Sequence, residues 1–297
     1  MFLEVLGQEW VFTGSAMKRQ PVLIGLHGGP GVDGTGLRYS LAPLADAAQV
    51  IVPDQRGHGR SDHGDPETWN LSTWSADVRG LCEVLGIEKP VVLGFSFGGF
   101  VAQQYALTYP EDIAGLILIS TAPRFPGPEA VIARVKEVGG EEAAEAMRRD
   151  LVNPTEDTAA EIRRVCLPLY SRRLTPDPVF AALEAHIIRT GEVIRRWWPE
   201  AQRVMDLRPA LEAVRCPTLV LIGEHDPLNP PALGREIADA IPHGRARVEV
   251  VPGAAHRVFT DNPQHVYGCI REFLAELVDP PYERPPTQAV AAPRTDP

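Results

Sequence analysis

Apolar residues occur in short, nearly unbroken runs that alternate with stretches of helical spacing. Residues 22–26, 50–52, 91–93, 116–119, 218–223 and 248–251 are mostly apolar at consecutive positions. Both faces of such a segment must be covered, as in the interior of a parallel sheet. Between these runs the period changes. Trp74, Val78, Leu81 and Leu85 recur at helical intervals ahead of Gly86, with Ser72 or Thr73 as the cap. Phe100, Gln103, Gln104 and Leu107 do the same ahead of Tyr109-Pro110, where the proline stops the helix. A helix over 231–241 begins with proline in its first turn, and a last one over 263–278 puts Val266, Ile270, Phe273 and Leu277 on one face behind an Asn262 cap. The opening residues 2–13 read as two short strands joined at Gly7-Gln8, an antiparallel edge hairpin. Strands alternating with helices predict an α/β fold, a mostly parallel central sheet with helices on both faces and right-handed crossovers.

The alternation stops at Pro123 and resumes after Met205. In that interval helix-like segments are punctuated by prolines, and no buried strand is evident. Charge shifts as well: residues 124–203 hold 13 basic and 13 acidic side chains, so the net charge of −10 falls entirely on the rest of the chain. The expected organisation is therefore a core of residues 1–122 and 206–278 with a helical cap, 123–205, inserted between two strands. Such a cap would lie over the carboxyl ends of the strands, where ligands bind in open α/β sheets. Residues 279–297, rich in proline and polar groups, are expected to be disordered.

Composition narrows the function classes. No run of about 18 apolar residues is present to span a membrane, and residues 1–6 lack a signal peptide's basic start and long apolar middle, so a cytoplasmic location is expected. The acidic balance opposes binding to nucleic acid. Cys82, Cys166, Cys216 and Cys269 are far apart, with no paired spacing for zinc, and read as small buried hydrophobes. No metal or cofactor is called for. The expected partner is a small-molecule substrate, and oligomeric state has no signature in the sequence.

The candidate chemistry centres on Gly94-Phe95-Ser96-Phe97-Gly98, which joins the run at 91–93 directly to a helix. A strand entering a helix through Gly-x-Ser-x-Gly delivers a serine in a sharp, strained turn as a nucleophile. A serine hydroxyl needs a base, and the base needs a third group to fix its tautomer. Asp226 follows the run at 218–223 and His256 follows that at 248–251, and the order Ser96, Asp226, His256 suits this architecture. The competing acid position after 116–119 carries Ser120. For the developing oxyanion, the expected donors are the amides of Phe97 and of Gly29 in the His27-Gly28-Gly29 turn, each worth roughly 2.7–4 kcal/mol in the transition state. His27 reads as a brace for its loop. Asp54, Arg56 and Asp62 read as tying down their own turn.

The segments His27-Gly-Gly-Pro-Gly31, Asp54-Gln-Arg-Gly-His-Gly-Arg-Ser61 and Gly94-Phe-Ser-Phe-Gly-Gly99, with Asp226 and His256, resemble the α/β-hydrolase superfamily over roughly residues 2–278. The first two segments further resemble the proline iminopeptidase branch, whose members remove N-terminal residues and include related esterases and amidases. That branch typically carries tryptophan after the nucleophile, where this chain has Phe97, and cap glutamates that bind the substrate amine. Glu184, Glu192 and Glu200 are candidates for the latter by position, or else solvated partners of nearby arginines. Trp197 and Trp198 either line an acyl pocket or anchor the cap. Gly28, Phe95 and Phe125 complete the expected substrate-binding set. The implied activity is acyl transfer from a small carboxylic ester, lactone or activated amide. The alternatives are an aminopeptidase, a cofactor-free perhydrolase and a non-catalytic ligand-binding protein on the same fold. Aspartate-nucleophile chemistry is disfavoured by Ser96 at the turn.

Overall fold

The computed structural model describes residues 1–173 and 178–277, excepting the side chains of 200 and 202–204. The tail expected from 279 and the side chain of Glu200 therefore lie outside the described residues. Among the described residues nine strands form: β1 (Leu3–Leu6), β2 (Trp10–Phe12), β3 (Met17–Arg19), β4 (Val22–Leu26), β5 (Gln49–Pro53), β6 (Val91–Phe95), β7 (Gly115–Ile119), β8 (Thr218–Gly223) and β9 (Ala246–Val251). Seven of them make one sheet in the order β1-β5-β4-β6-β7-β8-β9, parallel except for β1 at its edge. Every residue of β4, β7 and β8 is buried, as continuous apolar runs in a parallel sheet require.

Alternate side chains along these strands feed two cores. Ile24, Val92, Leu118 and Val220 pack on one face with Trp74 and Tyr105, while Leu23, Leu93, Ile117 and Leu219 pack on the other with Ile270 and Phe273. Register brings the carboxyl ends of the strands level. Leu26 pairs with Gly94, Phe95 with Ile119 and Gly223 with Val251, so the loops carrying His27, Ser96, Asp226 and His256 leave along one rim.

The N-terminal hairpin differs from the expectation. β1 pairs with β5 in the main sheet, and the hairpin is instead β2 with β3, closed by the amide of Thr13 donating to Ala16 O at 2.9 Å. The local alternation of 2–13 carries no information about which strand lies opposite. The helix Leu71–Leu85 is capped at Asn70, two residues before Ser72 and three before Thr73, the predicted caps: the Asn70 side chain accepts from the Thr73 amide at 2.9 Å.

Between β7 and β8 the chain inserts the helices Pro128–Val152, Glu156–Val165, Pro178–Glu184 and Gly191–Val204. This insertion has a small core of its own around Val131, Val135, Ala143, Ala146, Met147 and Cys166. It is fastened to the main body by a stripe at helical spacing, Val193, Trp197 and Ala201. The Trp197 ring meets those of Phe97 at 5.0 Å and Trp74 at 5.9 Å between centroids, both edge-on. Replacing Trp197 by alanine is expected to cost about 3–5 kcal/mol, as for other buried aromatics. Urea unfolding will show it as a lowered midpoint.

Candidate active site

Ser96 sits where β6 ends and the helix Phe97–Thr108 begins, at φ 52 and ψ −115. A non-glycine residue there stores roughly 1–3 kcal/mol of strain and persists only because its neighbours enforce it. They do so from both sides: the Ser96 amide donates to Ile119 O at 2.9 Å, and its carbonyl accepts from the Gly99 amide at 2.9 Å and Thr121 Oγ1 at 2.8 Å. The flanking glycines are a steric requirement. A Cβ at Gly98 would overlap the carbonyls of Leu26 and His27, and one at Gly94 would overlap the backbone of Gly98 and Gly99.

His256 reaches the serine from the β9 loop. Its Nε2 lies 3.0 Å from Ser96 Oγ, and its Nδ1 lies 2.8 Å from Asp226 Oδ2. Asp226 is fully buried, and its other oxygen accepts from the amides of Leu228 and Asn229, each at 2.9 Å. Every acceptor site that matters for orientation is thus occupied. The Ser120 hydroxyl donates to His256 O at 2.9 Å, and Asn229 Nδ2 donates to Ser120 O at 2.8 Å. Ser120, set aside as a competing acid position, instead steadies the histidine loop. The structure therefore brings Ser96, His256 and Asp226 into one hydrogen-bonded line.

Phe97 is the first residue of its helix, so its amide has no intrahelical acceptor. Gly29, at φ 120, lies in the facing loop, and among the described residues its amide meets no acceptor. His27 braces that loop: its Nδ1–H donates to Gly28 O at 2.9 Å and its Nε2 accepts from the Gln55 amide at 3.0 Å. Burial holds its basicity below the ordinary histidine value.

A cavity of about 390 Å³ opens on Ser96 and His256. Gly28, Gly29 and Phe95 line it. Phe125, Trp197, Trp198 and Glu192, named above as substrate-binding candidates, do not line it. The cause is helical phase. Gly191, Ile194 and Arg195 turn toward the cavity, whereas Trp197 is committed to the core, Trp198 stacks edge-on against Phe125 at 5.2 Å and Glu192 is exposed.

Side chains with no sequence signal take their place. Tyr170 packs edge-on against His256 at 5.3 Å, and its carbonyl accepts from the Arg257 amide at 2.8 Å. Among the described residues, three carboxylates from the insertion line the wall. Glu156 pairs with Arg195 at 2.9 Å and Glu184 with Arg257 at 3.4 Å. Asp150 faces no cation within ion-pair distance among the described residues and accepts from Thr158 Oγ1 at 2.6 Å. Burial raises the Asp150 carboxyl above the ordinary range.

The turn after β5 reaches further than a local tie. Arg56 forms a two-pronged pair with Asp77 at 2.8 and 2.5 Å, and Asp54 accepts from the amides of Gly34 at 2.9 Å and Arg60 at 3.0 Å and from Arg38 at 2.9 Å. Burial pushes the Asp54 carboxyl up, but these donors outweigh it and hold it low. His58 is fully buried beside His27 and Phe97. Its Nδ1–H donates to Arg56 O at 2.9 Å, and its Nε2 has no partner among the described residues. Burial, then the neighbouring His27, depresses its pKa from 6.5 to about 3. Between those values the unfolded chain binds a proton that folded His58 refuses, so stability present above pH 6.5 falls as pH drops toward 3. The loss amounts to roughly 5 kcal/mol at most. Urea midpoints measured from pH 7 to 4 should decline, and His58→Phe should flatten that slope while lowering the neutral-pH value.

The family described as alpha/beta hydrolase fold matches residues 21–263. The chain belongs to the alpha/beta hydrolase family. A proline iminopeptidase of Pestalotiopsis fici is 30% identical over 92% of this chain and 98% of its own. A solved proline iminopeptidase of Mycobacterium smegmatis superposes with a TM-score of 0.73 at 23% identity, covering 93% of this chain and 94% of that one, a likeness of fold. A thermophilic esterase from Thermogutta terrifontis superposes at 0.66 with 28% identity over 93% of both chains. Among the described residues no helix is long and apolar enough to cross a membrane.

Proposed function

We propose that this hydrolase-family protein is a serine hydrolase that cleaves a small carboxylic ester, lactone or activated amide through an acyl-enzyme. The observation that carries this reading is the 3.0 Å approach of His256 Nε2 to Ser96 Oγ on a strained turn that opens into a cavity. In the proposed sequence, Ser96 Oγ attacks the substrate carbonyl carbon as His256 Nε2 takes its proton. The carbonyl π pair moves to oxygen, where the amides of Phe97 and Gly29 receive it. Collapse breaks the bond to the leaving group, which departs with the proton held by His256. A water then gives its proton to His256 and attacks the acyl carbon; collapse breaks the bond from that carbon to Ser96 Oγ, which takes the proton back from His256 Nε2 as the acid is released. Asp226 holds Nδ1–H throughout, so Nε2 starts each half-reaction free to accept.

A specific observation favours a second substrate class. Glu192 does not reach the cavity, but Asp150 does, with no cation within ion-pair distance among the described residues, and a substrate amine would supply one. The named activity of the Pestalotiopsis relative points the same way. Initial rates on p-nitrophenyl esters and lactones against prolyl and alanyl p-nitroanilides, with Ser96→Ala as blank, separate the two. Activity on esters and lactones alone supports the first class; cleavage that requires a free amine and collapses in Asp150→Asn supports the second. No Ser96-dependent turnover on either arm would refute both.

A further inference from the structure

Asp33 is a buried carboxylate that touches none of Ser96, His256 and Asp226, and among the described residues its side chain accepts four hydrogen bonds. Its Oδ1 accepts from the Thr35 amide at 3.0 Å. Its Oδ2 accepts from Thr35 Oγ1 at 2.9 Å, Arg60 Nη1 at 3.1 Å and the Ile188 amide at 3.3 Å. The last contact crosses 155 residues to the insertion. It is reinforced by backbone pairing: the Asp33 amide donates to Ile188 O at 3.1 Å, the Thr190 amide donates to Gly31 O at 2.9 Å, and Val32 bridges Arg189. Residues 31–33 and 188–190 are thus laced together, two residues downstream of the Gly29 amide. On the core side, Arg60 also grips Asp54 at 3.2 Å, so Asp33 is fixed to the β5 turn as well.

From this lacing we propose that the insertion is a working part of the oxyanion hole, and that Asp33 is the positioning residue that locks the Gly29 loop against it. The inference rests on the acyl-transfer reading above. A loop with a φ of 120 at Gly29 has no intrinsic reason to hold its amide on the oxyanion. The core holds it at His27, and the insertion holds it at Gly31 and Asp33. An oxyanion donor acts only if its position is set before the charge develops. Ile187 and Arg189 belong to the same segment and line the cavity wall, so the surface that meets substrate is continuous with the surface that sets the hole.

The test is Asp33→Asn with a hydrolysed ester and a trifluoromethyl ketone, whose serine adduct carries the oxyanion. Asparagine keeps the shape and can still accept from Thr35. Its NH2 then faces the Ile188 amide and Arg60, donor against donor. The expected result is a parallel fall in kcat and in ketone affinity of roughly 10- to 100-fold, below the loss of a whole donor, with KM changed by no more than about twofold. Thr35→Val, which removes one donor to Asp33 and leaves its charge, should give a smaller loss of the same pattern and decides the matter if Asp33→Asn fails to fold. A rise in KM at constant kcat, or a fall in kcat with ketone affinity unchanged, would overturn the proposal. Failure of the acyl-transfer reading would look different: the unmodified protein would neither turn over ester nor bind the ketone.

Discussion

Ser96→Ala is expected to reduce ester turnover by about 10⁶-fold, leaving the small residual rate that binding and an oxyanion hole supply without a nucleophile. The size follows from the division of labour at the turn. Ser96 Oγ provides the bond-forming electron pair, and no other hydroxyl stands within hydrogen-bond reach of His256 Nε2 among the described residues. The substitution removes one oxygen from a half-buried side chain and leaves the backbone bonds to Ile119, Gly99 and Thr121 in place. Stability should therefore change little. Progress curves on a p-nitrophenyl ester, with far-ultraviolet circular dichroism on the same sample, check both halves.

Asp226→Asn should lower turnover by about 10⁴-fold with the fold retained. Asp226 Oδ1 takes the amides of Leu228 and Asn229, so an asparagine is steered to put its oxygen there. Its NH2 then faces His256 Nδ1, which must become an acceptor, and the ring proton moves to Nε2. In that tautomer Nε2 points a proton at Ser96 and cannot take one. Single-turnover kinetics should show acylation slowed while KM holds. An equal loss in both would instead mean that the loop had moved.

Much of this arrangement is legible in the sequence, for reasons that differ by element. The buried strands announce themselves because a segment covered on both faces has no alternative to consecutive apolar residues, as in β4, β7 and β8. Ser96 is legible because the space beside Leu26 and His27 admits no Cβ at position 98, so the glycine spacing is imposed sterically. Asp226 and His256 follow from their places after β8 and β9. Partner choice across space is what local pattern omits. β1 joins β5 rather than β2, and Arg56 seeks Asp77 rather than its own turn. At Trp197 the sequence leaves pocket and anchor open because an aromatic pair in a helix has two faces, and only packing decides which one meets the core. Tyr170 and Asp33 make their contacts far along the chain, and Asp150 meets Thr158 on the next helix. Of these only Asp33 has a local hint, since its Oδ1 receives the amide two residues on, as a turn-forming aspartate does.

Intact-mass analysis after exposure to a fluorophosphonate, followed by peptide mapping, tests the central claim most directly. The account predicts one adduct per chain, on Ser96, that disappears in Ser96→Ala and forms far more slowly in Asp226→Asn. Folded protein that stays unlabelled, or that carries its adduct on another residue, would contradict it.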